Sequence, residues 1–497
     1  LVESVEVTKA PTPDMDADSI GGNVNMVTKS AFDRADPKFF SYAAGFSYRW
    51  GRRAQADSWT KEPIKGLGPS LNFTYSDVVG ANKNIGILLT GTWHVQSTAD
   101  LRSTLNHQQS LASPAYVYSA TTPELIGSPR ARLALGAKVD YKFSPNTVFT
   151  LNTFYNWMHD SQFIQQRQLS TSQSVATIDA NGNRSGTGTI RPGYTDTFTE
   201  VLTGTNSLST FTVSTIDKTG ATYAFKPSAK HRLDGGKLLI DYNASWSASR
   251  TKYDASPFDR DYSDQPKGTV TALLRNIGWT VDRSRSLSFP IIRQTAGPDL
   301  TNLANYSGLQ LTQPDHSGDD SVLGMRLNVK RTLDTAMPLF VKTGFNYRRQ
   351  HRELENTSRR YNYTGAASIG QFLNTSGRYD EILDAYKKKV GTYLPSPFPD
   401  PYAVAQDARD RPDNWTEDIT YRYTQYFQNK RSMTESVAGA YVMAEAHLRR
   451  LTVLAGVRGE ETRTAGEGPL HALTAGEPAR RAAFGGPLTP EEPQRRV

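Results

Sequence analysis

The chain has 497 residues, a mass of 55.0 kDa and no cysteine, which excludes disulfide scaffolds, zinc–thiolate sites, iron–sulfur clusters and thiol nucleophiles together. Only 37% of residues are hydrophobic and mean hydropathy is −0.55; the strongest apolar run, Ile85 to Leu89, falls far short of the roughly 18 residues a spanning helix needs, so helical membrane proteins are excluded, whereas a barrel showing lipid every second residue is not. The net charge of +8 is carried by Lys and Arg dispersed among Asp and Glu, the pattern of a solvated surface and not of a nucleic-acid face.

The chain opens inside a strand-like run with no signal peptide, so a fragment with its targeting information upstream is expected. This first element is unlike the rest. Val2 to Thr8 alternates as a strand, and Lys9-Ala10-Pro11 ends it. Asp14, Asp16 and Asp18 occupy an acidic turn, and Gly21-Gly22 bends the chain into a second strand, Asn23-Val24-Asn25-Met26-Val27-Thr28-Lys29. The D-x-D-x-D spacing opens a calcium loop, but Ser19 stands where that loop needs Gly and Asn25 where it needs Glu. A solvated turn whose carboxylates bond neighbouring backbone N–H groups is expected instead.

From Phe39 onward the signal has period two. Tyr42, Ala44, Phe46, Tyr48 and Trp50 share one face, then Leu71, Phe73 and Tyr75, then Ile85, Ile87, Leu89, Trp93 and Val95, with Leu88 the exception. Further on, Leu133, Leu135, Ala137, Val139, Tyr141 and Phe143 form such a face, as do Leu323, Met325, Leu327 and Val329. Strands are expected at 39–50, 70–77, 84–96, 133–143, 147–157, 219–230, 237–250, 321–332, 338–351, 436–447 and 451–463. Most are about 10 to 13 residues long, nearer the roughly 9 to 11 that a tilted strand needs to cross a bilayer than the usual 5 to 6 of globular proteins. Their connections sort by parity. Segments 78–83, 144–146, 231–236, 333–337 and 448–450 are brief, while 158–218, 251–320 and 352–435 are long, as in barrels with short periplasmic turns and long external loops. Leu208 to Thr215 is also strand-like and would extend a hairpin above the membrane. Within the last loop Tyr379 to Val390 has helical spacing. Tyr253, Phe258, Tyr262, Tyr361, Tyr363, Tyr393 and Phe398 in the long loops either stack on a ligand or pack the loops together.

Catalytic signatures are lacking. His351 with Glu353 and Glu355 is the densest histidine group, and a satisfied rim histidine is its expected role. Gly186-Thr187-Gly188 lacks the helix of a dinucleotide site. Arg348, Arg349 and Arg352 beside Tyr347 suit either an anionic ligand or the acidic lipopolysaccharide layer. No catalytic, metal or cofactor residue is assigned, and no enzymatic activity is expected.

The segment from Val2 to Lys29 closely resembles the end of the plug domain of TonB-dependent receptors, where a strand closing in Lys-x-Pro leads through a Gly-Gly bend into Asn-x-apolar-x-Thr-Lys. The residues carrying the resemblance are Pro11, Asp14, Asp16, Asp18, Gly21, Gly22, Asn23, Asn25, Thr28 and Lys29. It implies an all-β chain: the end of an N-terminal plug (1–33), then a partial antiparallel transmembrane β-barrel with long extracellular loops (34–497). With about eleven strands, this is about half of the 22-stranded barrel typical of plugged transporters. It also implies a Gram-negative outer membrane location, and TonB with ExbB and ExbD as partners through an upstream TonB box. The function implied is energised uptake of a scarce nutrient, an oligosaccharide, siderophore or similar ligand. A passive barrel channel or adhesin is the alternative. A soluble polysaccharide-active enzyme would instead bury Leu323, Met325, Leu327 and Val329 against a second sheet.

Overall fold

The computed structural model describes residues 2–9, 11–17, 21–34, 36, 38–48, 54–56, 63–64, 67–108, 113–254, 268–335, 337–374, 387–388, 397–448, 450–469, 474–486 and 491–492. Eleven strands form the main path of one large antiparallel sheet: β1 Phe39–Tyr48, β2 Leu67–Val79, β3 Ile85–His107, β4 Val117–Ser144, β5 Thr147–Ser170, β6 Leu208–Leu233, β7 Leu238–Asp254, β8 Asp315–Leu333, β9 Leu339–Asn356, β10 Arg431–Leu448 and β11 Leu451–Glu467. Each pairs with its sequence neighbours in strict order. The sheet is open: among the described residues β1 and β11 are its edges and do not pair with each other. One end carries tight turns, such as Asp234, Gly235 and Gly236 with positive φ between β6 and β7, tied by Arg331 to Asp234 at 2.7 Å and Lys237 to Asp334 at 2.5 Å. The other end carries the long connections.

Alternation divides the sheet into an inner face, on which the N-terminal segment lies, and an outer face. Near the tight turns the outer face is apolar and exposed. Met325 is 48% and Leu327 42% exposed, so they are not buried against a second sheet. Two aromatic rows bound this band. One joins Phe143 and Phe149 (6.5 Å between ring centres), Phe149 and His231 (5.8 Å), and His231 and Tyr242 (5.6 Å). The other contains the Tyr155–Tyr223 pair at 4.9 Å and the Phe225–Trp246 pair at 5.9 Å. On β5 the step between the rows, from Phe149 to Tyr155, is about 20 Å at about 3.3 Å per residue, somewhat less than the roughly 25 Å apolar band of outer-membrane barrels. Beyond the second row the outer positions of β7, β8 and β9 turn charged at Arg250, Asp319 and Glu353, which lie side by side in register.

Several strands are longer than alternation predicts: β3, β4, β5 and β6 run on to 23, 28, 24 and 26 residues. The reason is a head of packed loops that continues the ladder past the apolar band. Leu208–Thr215 extends a hairpin as expected: it is the upper part of β6 and pairs with Phe163–Ser170 of β5. From Leu208↔Arg275 to Thr215↔Gly268 it pairs with Gly268–Arg275, which pairs in turn with Ser307–Gln313, then Arg359–Tyr363, then Trp415–Glu417. Phe163, Phe211, Val213, Val270, Trp279, Leu311 and Val404 form the buried core of this head. Helix α1, Pro401–Asp410, presents Val404, Ala405 and Ala408 to it after a start capped by Asp400. Helix α2, Ile419–Asn429, begins at Asp418, whose carboxylate accepts from the Tyr421 N–H. The expected helix over Tyr379 to Val390 falls almost wholly outside the described residues, as do Trp50, Phe258, Tyr262 and Tyr393.

Candidate functional site

The N-terminal segment forms a two-stranded hairpin, Val2–Thr8 against Asn23–Thr28, with Thr8 opposite Asn23 and Glu6 opposite Asn25. The Asn25 amide donates to the Glu6 carboxylate at 2.9 Å. Of the two bend glycines only one is sterically required. Gly22 has φ +103°, and a Cβ there would lie 2.5 Å from the Thr8 carbonyl oxygen, whereas a Cβ on Gly21 would meet nothing within 4 Å. After the hairpin the chain is fastened to β4. Lys138 Nζ donates to the carbonyls of Thr28 and Lys29 at 3.1 and 3.3 Å, and Ser30 Oγ to Asp140 at 2.6 Å. Phe32 lies beneath Lys142, 3.7 Å from Nζ to ring centre, and over Gly86, where a Cβ would come within 2.9 Å of its ring. Leu88, the apolar exception to alternation, is two positions along this inner face and buried at 5% exposure.

The acidic turn is docked on the sheet by side chains from several strands, although the Asp16 side chain itself stays more than half exposed. Asp14 takes a hydrogen bond from Lys342 Nζ at 2.5 Å and another from its own neighbour Thr12. Its backbone carbonyl accepts from Arg326 at 2.7 Å. Asp16 accepts from Asn346 Nδ2 at 2.6 Å and Arg458 Nη2 at 3.2 Å, and the Ala17 N–H reaches Glu460 at 3.3 Å. Pro11 lines the shallow groove between this turn and Arg458. Asp18 lies outside the described residues. Burial raises the Asp14 carboxyl, but the hydrogen bonds from Lys342 and Thr12 and the Lys342 charge outweigh it and hold the group below its usual range. Two glycines shape the seat. A Cβ at Gly439 would sit 2.4 Å from Arg458 Nη2 and 2.5 Å from the Asn346 amide oxygen, and one at Gly344 would strike the Tyr441 ring at 2.7 Å. Tyr441 crosses that gap to donate to Asn328 at 2.7 Å. Arg326, Lys342, Asn346, Arg458 and Lys138 were not distinguishable by sequence, because inner-face polar residues alternate like any solvated face. Among the described residues no group of acids and histidines could hold a metal ion.

The basic cluster divides by parity. Arg348 pairs with Glu435 at 3.0 Å and Arg352 with Asp320 at 2.5 Å, while Arg349 and Tyr347 alternate to the outer face. His351 is satisfied by Thr434 at 2.9 Å. Tyr361, Tyr363 and Phe398 serve loop packing. Tyr363 meets Trp415 at 5.1 Å and Phe372 at 5.6 Å, and Phe398 meets Phe211 at 5.1 Å.

Tyr253 is different. Arg130, Asp160, Lys218, Tyr253, His316 and Asn356 are direct partners from strand to strand, so they form one row across the inner face of β4 to β9. Arg130 bonds Asp160 at 3.0 Å, Lys218 sits 4.5 Å from the Tyr253 ring centre, and Tyr253 stacks on His316 at 4.0 Å. Asn356 donates to Gln425 of α2 at 3.0 Å. Beside this row lies a cleft of about 330 Å³ lined by Tyr253, His316, Gly318, Leu354, Asn429 and Arg431 among others.

No family model and no curated protein matches the chain. Among solved structures, BauA, the ferric preacinetobactin receptor of Acinetobacter baumannii, aligns over 90% of this chain and 75% of its own, at 9% identity and a TM-score of 0.16. Neither value is high enough to transfer a ligand or a mechanism.

Proposed function

We propose that this chain is a TonB-dependent outer-membrane receptor that takes up a scarce nutrient into the periplasm and performs no chemistry on it. The observation carrying this reading is the N-terminal hairpin and acidic turn held by ion pairs against the inner face of an antiparallel sheet. The outer face of that sheet bears an exposed apolar band between two aromatic rows. Hydrogen bonds and salt bridges suit such a contact because they are replaceable by water: the segment can be displaced by work done from the periplasm and can return, which a hydrophobic core would resist. The head and the inner rim would meet the ligand first, and TonB with ExbB and ExbD would supply the work. Among the described residues no helix is long and apolar enough to cross a membrane, so the sheet would make the crossing.

The test is ligand uptake in cells with and without functional TonB, comparing the native protein with the Lys342→Gln, Arg458→Gln double variant. Uptake that requires TonB and becomes leaky in the variant supports the proposal. Flux indifferent to TonB identifies a passive channel instead.

A further inference from the structure

We infer that the cleft beside Tyr253 and His316 is a binding site for a small ring-bearing carboxylate, with Arg431 reading the carboxylate and the His316–Tyr253 stack reading the ring. The inference rests on the receptor role above, since it names the class of molecule that role would capture.

Register explains why a cavity exists at this place. The row next to Tyr253, His316 and Asn356 consists of Thr251, Gly318, Leu354 and Arg431, again direct partners from β7 to β10. Gly318 has no side chain to fill its position, and a Cβ there would press on Leu354 at 3.0 Å. The floor is therefore open between an aromatic wall and an aliphatic one, at a volume that admits one ring-sized ligand, near the lower end of the roughly 300 to 1,000 Å³ of small-molecule sites. Helix α2 closes one side through Asn429, whose amide is oriented by Gln425 at 3.0 and 3.2 Å.

The lining presents one unpaired guanidinium beside an aromatic stack. Among the described residues Arg431 has no ion-pair partner, and the His316 ring has a stacking partner but no hydrogen-bond partner. Lys218 adds a positive charge from the far end of the stack. Most nearby carboxylates are already engaged: Asp315, next to His316, accepts from Thr357 Oγ1 at 2.7 Å. Asp320 is held by Arg352 and by Gln350 at 2.8 Å, Asp160 by Arg130, and Glu355, which lines the cleft, occupies an outer-parity position between Leu354 and Asn356. A guanidinium with free donors matches the planar carboxylate bidentately, and a flat imidazole–phenol stack offers the ring a rigid surface. A sugar acid and an aromatic acid share this chemistry.

The test is equilibrium titration of the full chain in detergent micelles with galacturonate and benzoate, each against its neutral counterpart, galactose and benzamide. At least one carboxylate is expected to bind ten-fold or more tightly than its neutral partner. Arg431→Gln should erase that preference and Arg431→Lys restore part of it. Gly318→Val, which fills the floor, should abolish binding of acid and neutral ligand alike while circular dichroism keeps the β signal. Galacturonate preferred over benzoate marks a sugar-acid site, and the reverse an aromatic-acid site. Equal affinity for acid and neutral forms, an unaffected Arg431→Gln variant, or no binding of either carboxylate at millimolar concentration overturns the inference. None of these readings needs TonB, so the site can fail while uptake remains TonB-dependent, and the receptor role can fail while the site binds.

Discussion

Single residues on the N-terminal segment carry unequal weight, and the difference is measurable. Gly22→Ala forces a Cβ to 2.5 Å from the Thr8 carbonyl at φ +103° and should destabilise the hairpin by about 1 to 3 kcal/mol. Gly21→Ala, with open space around it, should be near neutral. Amide hydrogen exchange over Val2–Thr8 and Asn23–Thr28 separates the two; equal protection in both variants would contradict the steric argument. Asp14 gives a pH signature. Its carboxyl is held low in the folded chain, so its contribution is fully present above the unfolded value near pH 3.9 and is lost as pH falls through the lower folded value. Protease access to residues 11–17 should thus rise only in strong acid. In Lys342→Gln the onset should move upward toward the ordinary carboxylate range, and the turn should loosen by about 1 to 3 kcal/mol. Little of this was legible beforehand: the motif marked Asp14 and Asp16 as a turn, but their partners lie more than three hundred residues away, and no local pattern announces them.

Among the elements, alternation was the informative signal, because a period of two survives any change of loop. It located the eleven strands of the sheet's main path and their tight turns, but not the four short strands of the head that branch from it. It also assigned faces correctly on β8, where Leu323, Met325, Leu327 and Val329 oppose Arg326 and Asn328, and the partners of the latter confirm the inner side. Boundaries were less legible, since upper β5 and β6 continue alternating while changing what they face, from an open band to the head core. Substitution tests the assignment. Leu327→Arg, on the outer band, should cost about 2 to 4 kcal/mol when the chain refolds into lipid vesicles. Arg326→Leu, one residue away, should leave insertion unchanged and loosen the acidic turn. Similar costs for both would refute the two-faced sheet. Gly439→Val should displace Arg458 from Asp16 and expose residues 11–17 to protease without altering the strand content.

Across the whole molecule, the head is what the sequence concealed. Its loops are rich in polar residues, proline and aromatics with no periodic pattern to mark a core, yet scattered single apolar residues such as Trp279, Ile190, Leu300 and Leu311 converge to complete burial. Tertiary convergence of isolated positions leaves no periodic trace. Phe211→Ala should remove about 3 to 5 kcal/mol from this core. Trp279, fully buried beside Ser207, to which its indole N–H donates at 3.2 Å, is the reporter: its fluorescence should shift to the red at a lower temperature in the variant. The β signal of the sheet should persist. Loss of both together would mean that head and sheet form one cooperative unit.

The branch in β6 has a mechanical consequence. Over nearly its whole length this strand is bonded to β5 on one side, and on the other it is bonded first to β7 and then, past Ile216, to Gly268–Arg275. A strand held along both edges neither slides nor peels, so the head has no hinge at its root. Tilting it would shear the ladder from Leu208↔Arg275 to Thr215↔Gly268 all at once. Head and upper sheet therefore move as one rigid piece, and any displacement of the ion-paired turn on the inner face has to occur without help from the head.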